Sequence, residues 1–441
     1  MTALHERLSF IRRGPKGAPG APDRRVVPGL VFVLAVVAGW RDGGFWNSEA
    51  AAIAVIAGVL LVAALFWASP DRRGMFVVGS LGFLALWWCA RSITAGSGTN
   101  FLPLGASIIA FAAAFAAVRP LIGRARQEAA LSMACLGAVG ALAGFAGLIW
   151  RYMPLALPAQ GLWRLSSSLT YADAAGLVFG VCLLLALGCA RAPTLVRIAV
   201  CLNTAGLLAT QSRGAYAALV CACFLVPARR YRELTLPLLA GIALGVAAIA
   251  SSPLSRPVPW LTLILSLTVG VAACGQPGVT RRLSSGRVRV ALGGAFLCGV
   301  IGVALLLRHE ISLRALAPSD QDRSAEWSSA LHQWTSAPFA GVGADRPLTL
   351  HAIDGTSAHF AHNEYLQIGA DSGLIGVGLL AFVAFSLARV FRRADPLSSC
   401  AVAAVVCWAV GGAFDFSWHL PVVGLVGGWC AGLAAREEGS R

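Results

Sequence analysis

Residues 362–388 read HNEYLQIGADSGLIGVGLLAFVAFSLA. A short polar head passes directly into an apolar run whose one charged residue is Asp371. The run has the length of about 20 residues that a helix needs to cross a bilayer. It therefore reads as a membrane span that starts at a polar loop, with His362 at the membrane surface. Treated as one helix at about 100° per residue, Gly369, Gly373 and Gly376 fall within about 40° of His362. That spacing predicts a small-residue stripe with an imidazole at its outer end, a face that another helix can approach closely. Asp371 falls on the opposite side and is not a direct partner for His362 on that helix.

The rest of the chain has the same character. Of 441 residues, 57% are hydrophobic and 12% charged, where a soluble domain carries about 25% charged residues. Mean hydropathy is +0.73. These values exclude a soluble globular protein, a disordered chain and a disulfide scaffold. What remains is an all-α polytopic integral membrane protein. Residues 1–25 are basic and rich in Pro and Gly, and read as a disordered tail without a cleaved signal peptide. Eleven apolar runs follow within 26–307, then a long hydrophilic loop over 308–365, three more runs within 366–435, and a short tail at 436–441. Several runs are shorter than a full span, and 195–228 divides ambiguously, so the prediction is 12–14 transmembrane helices. The twelve cysteines lie in or beside apolar runs, which suits buried thiols rather than disulfides or zinc ligands.

The net charge of +15 comes from 35 basic and 20 acidic residues, and Lys16 is the sole lysine. With fourteen spans, 25 of the 35 basic residues fall on the side of the two termini. The positive-inside rule then makes both termini cytoplasmic, and the charge points to topology rather than to nucleic acid. Five of the seven histidines lie in the outward loop 308–365, so any chemistry faces outward. Within that loop, residues 320–337 have the pattern of an amphipathic helix. Trp327, Leu331 and Trp334 recur at i, i+4 and i+7, Ser319 with Asp322 resembles a capping box, and Pro338 stops the pattern. Such a helix is expected in the membrane interface, with Arg323 near its lipid-facing edge.

Arginines on the outward side are the second signal. Arg213 occupies a short turn between two apolar runs, Arg91 ends the third run, and Arg164 precedes Ser166-Ser167-Ser168. Arginine near hydrocarbon is costly unless it is paired, functional or snorkelling. Few acidic residues lie nearby in sequence to pair with them. Forked guanidinium groups suit a lipid diphosphate. His359-x-x-His362 with His351 and Asp354 is a weak metal pattern and matches no strong signature. Asp173 reads as a helix N-cap. Asp415 and His419 read as capping or packing groups, with lining of a pocket as the alternative.

At these residues the sequence resembles the O-antigen ligase and O-antigen polymerase superfamily. The motif is His362-Asn363, nine residues, then Gly373-Leu-Ile-Gly376. Arg323, Trp327, Trp334 and Pro338-Phe-Ala-Gly341-Val-Gly343 are similar to its upstream run, Ser212-Arg213-Gly214 to its Ser-Arg-Gly turn, and Asp415-Phe416-Ser417-Trp418-His419-Leu420-Pro421 to its terminal segment. The likeness runs in order through 165–425. One departure is Asp173, where Asn is expected. The resemblance implies a glycosyltransferase-C-like helical fold in the bacterial inner membrane, with a periplasmic site. It implies inverting transfer of a glycan from an undecaprenyl-diphosphate donor to a sugar hydroxyl, without cofactor or metal. His362 and Arg213 would be catalytic, and Arg323, Arg164 and Arg91 would hold the donor diphosphate. Asn363, Gly373, Gly376, Trp327 and His419 would support them. The partners implied are the lipid-linked glycan, an acceptor glycan or lipid A–core, membrane lipids and a chain-length regulator. The high span count favours a repeat-unit polymerase of O-antigen or exopolysaccharide over a lipopolysaccharide ligase. A lipid-linked oligosaccharide flippase or transporter is the reading from another class; transporters place polar and charged groups near the midplane, whereas here the informative polar residues cluster at the outer face.

Overall fold

A computed structural model describes residues 25–68, 71–159, 161–191, 193–254, seven residues within 263–274, 319–344, 346, 348–350, 357–392 and 395–435. The protein is an all-α bundle. Five of its described helices are long and apolar enough to cross a membrane. These are α2 (Asn47–Ala68), α3 (Arg72–Thr94), α5 (Gly123–Trp150), α7 (Pro193–Thr210) and α12 (Glu364–Val390). Seven shorter apolar helices complete the described bundle: α1 (Val26–Trp40), α4 (Leu102–Val118), α6 (Ala172–Gly188), α8 (Arg213–Cys223), α10 (Thr235–Ala250), α13 (Pro396–Gly411) and α14 (Pro421–Ala434). Polar helices α9 (Ala228–Glu233) and α11 (Ser319–Ser336) lie between them. The apolar run at 290–307 lies outside the described residues, and so do His309, His351 and Asp354.

Helices α4, α6 and α14 are apolar all round and almost wholly buried, as such helices must be. Gly424, Gly428 and Gly432 recur every four residues on α14 and face α4. A Cβ at Gly428 would stand 2.1 Å from the Phe111 carbonyl oxygen, and one at Gly424 2.4 Å from that of Ser107. The two backbones therefore touch, and side-chain packing replaces the hydrophobic drive that lipid cannot supply. Peripheral helices show the opposite pattern. On α2, Val55, Val59, Val62 and Phe66 are exposed, an apolar outer face that suits lipid rather than water.

Two small hairpins interrupt the helical pattern: β1 (Ala156–Ala159) with β2 (Leu162–Leu165), and β3 (Thr349–Leu350) with β4 (Ser357–Ala358). The first matters for function because β2 carries Arg164.

Helix α12 departs from the single helix that the glycine spacing suggests. Gly373 has φ 65° and ψ −165°, which breaks the helix. The turn 338–343 fills the break. Val342 and Gly343 donate to the carbonyls of Ala370 (2.8 Å) and Asp371 (2.9 Å), while Leu374 and Ile375 donate to those of Pro338 (2.8 Å) and Phe339 (3.2 Å). From α3, Trp87 Nε1 donates to the Ser372 carbonyl at 3.1 Å. These bonds satisfy backbone groups that hydrocarbon would leave orphaned. The three glycines consequently face different neighbours. A Cβ at Gly369 would meet the Trp334 ring at 2.6 Å, one at Gly373 the Phe339 backbone at 2.4 Å, and one at Gly376 the Ser372 hydroxyl of its own helix. The expected helix-to-helix stripe is replaced by a clasp.

Candidate active site

The Ser212-Arg213-Gly214 turn shows why each residue stands where it does. Ser212 caps α8, its hydroxyl accepting from the Ala215 amide at 3.3 Å. Arg213 follows in the first turn and lines a cavity of about 50 Å³. Gly214 lets the next connection close in, since a Cβ there would stand 2.6 Å from Phe414 Cβ. Arg164, Asp173, Arg323 and Asp415 line the same cavity. Three guanidinium groups thus share it with two carboxylates.

Arg164 is held from two sides. Its Nε donates to the Thr210 carbonyl at 2.9 Å, and its Nη2 to Asp173 Oδ1 at 2.8 Å. Asp173 is therefore the ion partner of Arg164 and not a helix cap; Tyr171 occupies the N-cap position of α6. The acidic partner of Arg164 lies nine residues along the chain. Asp415 is buried, accepting from the Tyr171 hydroxyl at 2.6 Å and from Ser417 Oγ at 2.8 Å. Burial and the neighbouring Asp173 charge push its carboxyl up to about 6, against the opposing influence of His362.

Helix α11 departs from the expectation at Arg323. Trp327 and Leu331 are exposed, whereas Glu326 and Ala330 are buried. The inward face runs Arg323, Glu326, Ala330, Trp334, and Arg323 points into the cavity instead of toward lipid. The helical periodicity is correct, but the buried face is the polar and small one. No apolar pattern announces such a face.

His362 stands just before α12. Its backbone has φ 46°, a left-handed conformation that costs a residue with a Cβ about 1–2 kcal/mol. The surroundings enforce it. Asn363 caps α12 by accepting from Tyr365 and Leu366 amides at 3.1 Å each, and Gln367 Oε1 accepts from the Ala361 amide at 2.8 Å. The imidazole Nδ1 lies 2.8 Å from Glu326 Oε2. Its ring meets Phe416 edge-on at 5.1 Å, and Phe416 stacks on Phe360 and Tyr171. Burial disfavours the charged ring, but the Glu326 hydrogen bond and the charges of Asp415 and Glu326 outweigh it and hold His362 above the usual histidine value.

Arg91 and His419 stand apart from the cavity. Arg91 Nη2 and Nε donate to the Gly341 carbonyl at 2.6 and 3.1 Å, and Nε also to that of Ala340 at 3.0 Å. Arg91 therefore secures the clasp. His419 is buried, with Nδ1 3.2 Å from Glu364 Oε2. Glu364 Oε1 also accepts from the Trp418 amide at 2.5 Å, so this pair fixes the turn that carries Asp415 and Phe416. Among the described residues, no group of three or more His, Cys, Asp or Glu is arranged to hold a metal ion.

Residues 198–381 match a family model described as O-antigen ligase. These residues form a domain of the O-antigen ligase family. No curated protein matches the chain. The O-antigen ligase domain takes in Arg213, Arg323, Glu326, His362 and the clasped glycines. Arg164, Asp173 and Asp415 complete the cavity from outside it. The helical membrane architecture and this domain support a membrane glycan enzyme of the O-antigen ligase and polymerase type.

Proposed function

We propose that the protein transfers a glycan from undecaprenyl diphosphate to a sugar hydroxyl, at the periplasmic face of the bacterial inner membrane. The observation that carries this reading is the meeting of three arginines in one cavity beside a histidine backed by a buried carboxylate. Arg213 and Arg323 would grip the diphosphate, with Arg164 steadied by Asp173 behind them. His362 would accept the proton of the acceptor hydroxyl as its oxygen bonds to the anomeric carbon. The anomeric carbon–oxygen bond to the diphosphate breaks in the same step, and the electron pair leaves on the diphosphate. A single displacement inverts the anomeric centre. The leaving group is already good, so positioning and guanidinium charge supply much of the rate. The excess of basic residues in the terminal-side loops supports cytoplasmic termini and an outward site.

A repeat-unit polymerase is the reading that the high span count supports. The description of the matching family model supports a second one, ligation of finished glycan to lipid A–core. A gel of surface and lipid-linked glycan from a deletion strain separates them. Lone repeat units on carrier or core identify a polymerase. Long polymer on the carrier with bare core identifies a ligase. Complementation by His362→Ala or Arg213→Ala must fail; full restoration by both refutes the site.

A further inference from the structure

A carboxylate buried to 2% exposure is expensive unless something compensates it, and Glu326 is such a group. Its partner is His362 Nδ1, across 36 residues of sequence. The carboxylate can only accept there, which makes Nδ1 the protonated nitrogen and leaves the Nε2 lone pair for chemistry. Three constraints on different elements converge on this contact. Gln367 and Asn363 hold the 361–363 turn. Phe416 limits the swing of the ring. The 338–343 turn, bonded into the α12 break, fixes the depth at which α11 lies. Arg323 lies three residues before Glu326 on the same inward face.

We propose that Glu326 is the positioning residue of this site. It locks the His362 ring in one tautomer and orientation, and through α11 it ties the placement of the imidazole to that of the Arg323 guanidinium. The inference deepens the transferase reading and rests on it for its consequence for rate. The physical claim about the ring stands separately. The charged groups that face His362 are Glu326 and Arg323 from α11 and Asp415 from the turn after α13. Removing the Glu326 charge leaves Arg323 less opposed, so the ring protonates less readily.

The test uses the full chain in detergent, as wild type, Glu326→Gln, Glu326→Asp and His362→Ala. The first readout is the pH dependence of His362 modification by diethyl pyrocarbonate, which acylates only neutral imidazole, followed by peptide mass spectrometry. The second is transfer, with lipid-linked oligosaccharide extracted from the deletion strain as donor, and that oligosaccharide or lipid A–core as acceptor. In Glu326→Gln the modification midpoint moves to lower pH, and transfer falls at least about tenfold, a part of the ~10²–10⁴-fold that a general base supplies. Glu326→Asp, with its charge withdrawn by one methylene, falls between. Unchanged midpoint and unchanged transfer in a folded Glu326→Gln overturn the proposal. If Glu326→Gln does not accumulate, Glu326→Asp is judged by the same two readouts. If His362→Ala transfers normally, the general-base reading fails, while the modification midpoint still decides whether Glu326 holds the ring.

Discussion

Replacing Gly373 by alanine tests the clasp at its tightest point. The φ of 65° with ψ of −165° lies in a region that is essentially glycine's alone, and forcing a Cβ into it costs about 1–3 kcal/mol. The added carbon would stand 2.4 Å from Phe339 C and O and 2.6 Å from Ala340 N. These are backbone atoms, so no rotamer change relieves the contact and the turn must withdraw. Withdrawal breaks part of the four-bond connection between 338–343 and α12, at about 1 kcal/mol net per bond. With half of them lost, the total is about 3–5 kcal/mol. Gly378→Ala, five residues along the same helix, is the control. Nothing lies within 4 Å of its Cβ position, and alanine favours a helix interior over glycine by about 1 kcal/mol. Thermal unfolding in detergent compares the two variants, and the glycan gel reads function. Gly373→Ala should melt several degrees below wild type and lose transfer, because α11 no longer holds Arg323 and Glu326 against His362. Gly378→Ala should match or exceed wild type in both. Equal behaviour of the two variants would refute the clasp.

Arg213→Ala should cut transfer at least about a hundredfold, as loss of a transition-state donor does, and Arg213→Lys should restore only part of it because an ammonium lacks the fork. Initial rates with extracted lipid-linked donor measure both. Arg91→Ala should lower melting temperature more than the rate per folded molecule, since it leaves the Ala340 and Gly341 carbonyls short of a donor at about 1–3 kcal/mol; thermal stability beside kcat separates the two effects. The acidic limb of the pH–rate profile should lie above the ordinary histidine value, because a raised folded-state value delays formation of the neutral base as pH rises. Asp415→Asn removes one of the charges that raise it and should move that limb to lower pH, as rate measurements across pH would show.

Composition alone was enough to read the bundle, because apolar runs in a chain this poor in charge have no alternative to membrane helices. The site was legible in part. Ser212-Arg213-Gly214 and His362-Asn363 stand out as polar groups at the ends of apolar runs, and they do come to adjacent walls of one region. The break at Gly373 was hidden. A glycine within an apolar run fits a continuous span as well as a broken one, and the groups that fill the break come from α3 and from a turn about thirty residues upstream. Glu326 is not legible because its partner is distant in sequence and because the Trp327, Leu331, Trp334 pattern marks the edge of α11 beside it. Asp173 looked like a cap because it stands at a helix start, where Tyr171 in fact takes that position and frees the carboxylate for Arg164. The hairpin that presents Arg164 is too short to stand out beside the long helical periods.

Among the described residues, every group that completes the interrupted part of α12 from elsewhere lies earlier in the chain: Trp87 in α3, then residues 338–343, whose carbonyls Arg91 grips in turn. During synthesis these partners leave the ribosome before Gly373 does. The interrupted segment therefore never has to wait in the membrane for a later stretch of polypeptide to cover its bare amides and carbonyls. Chain order itself protects this interrupted backbone while it is being made.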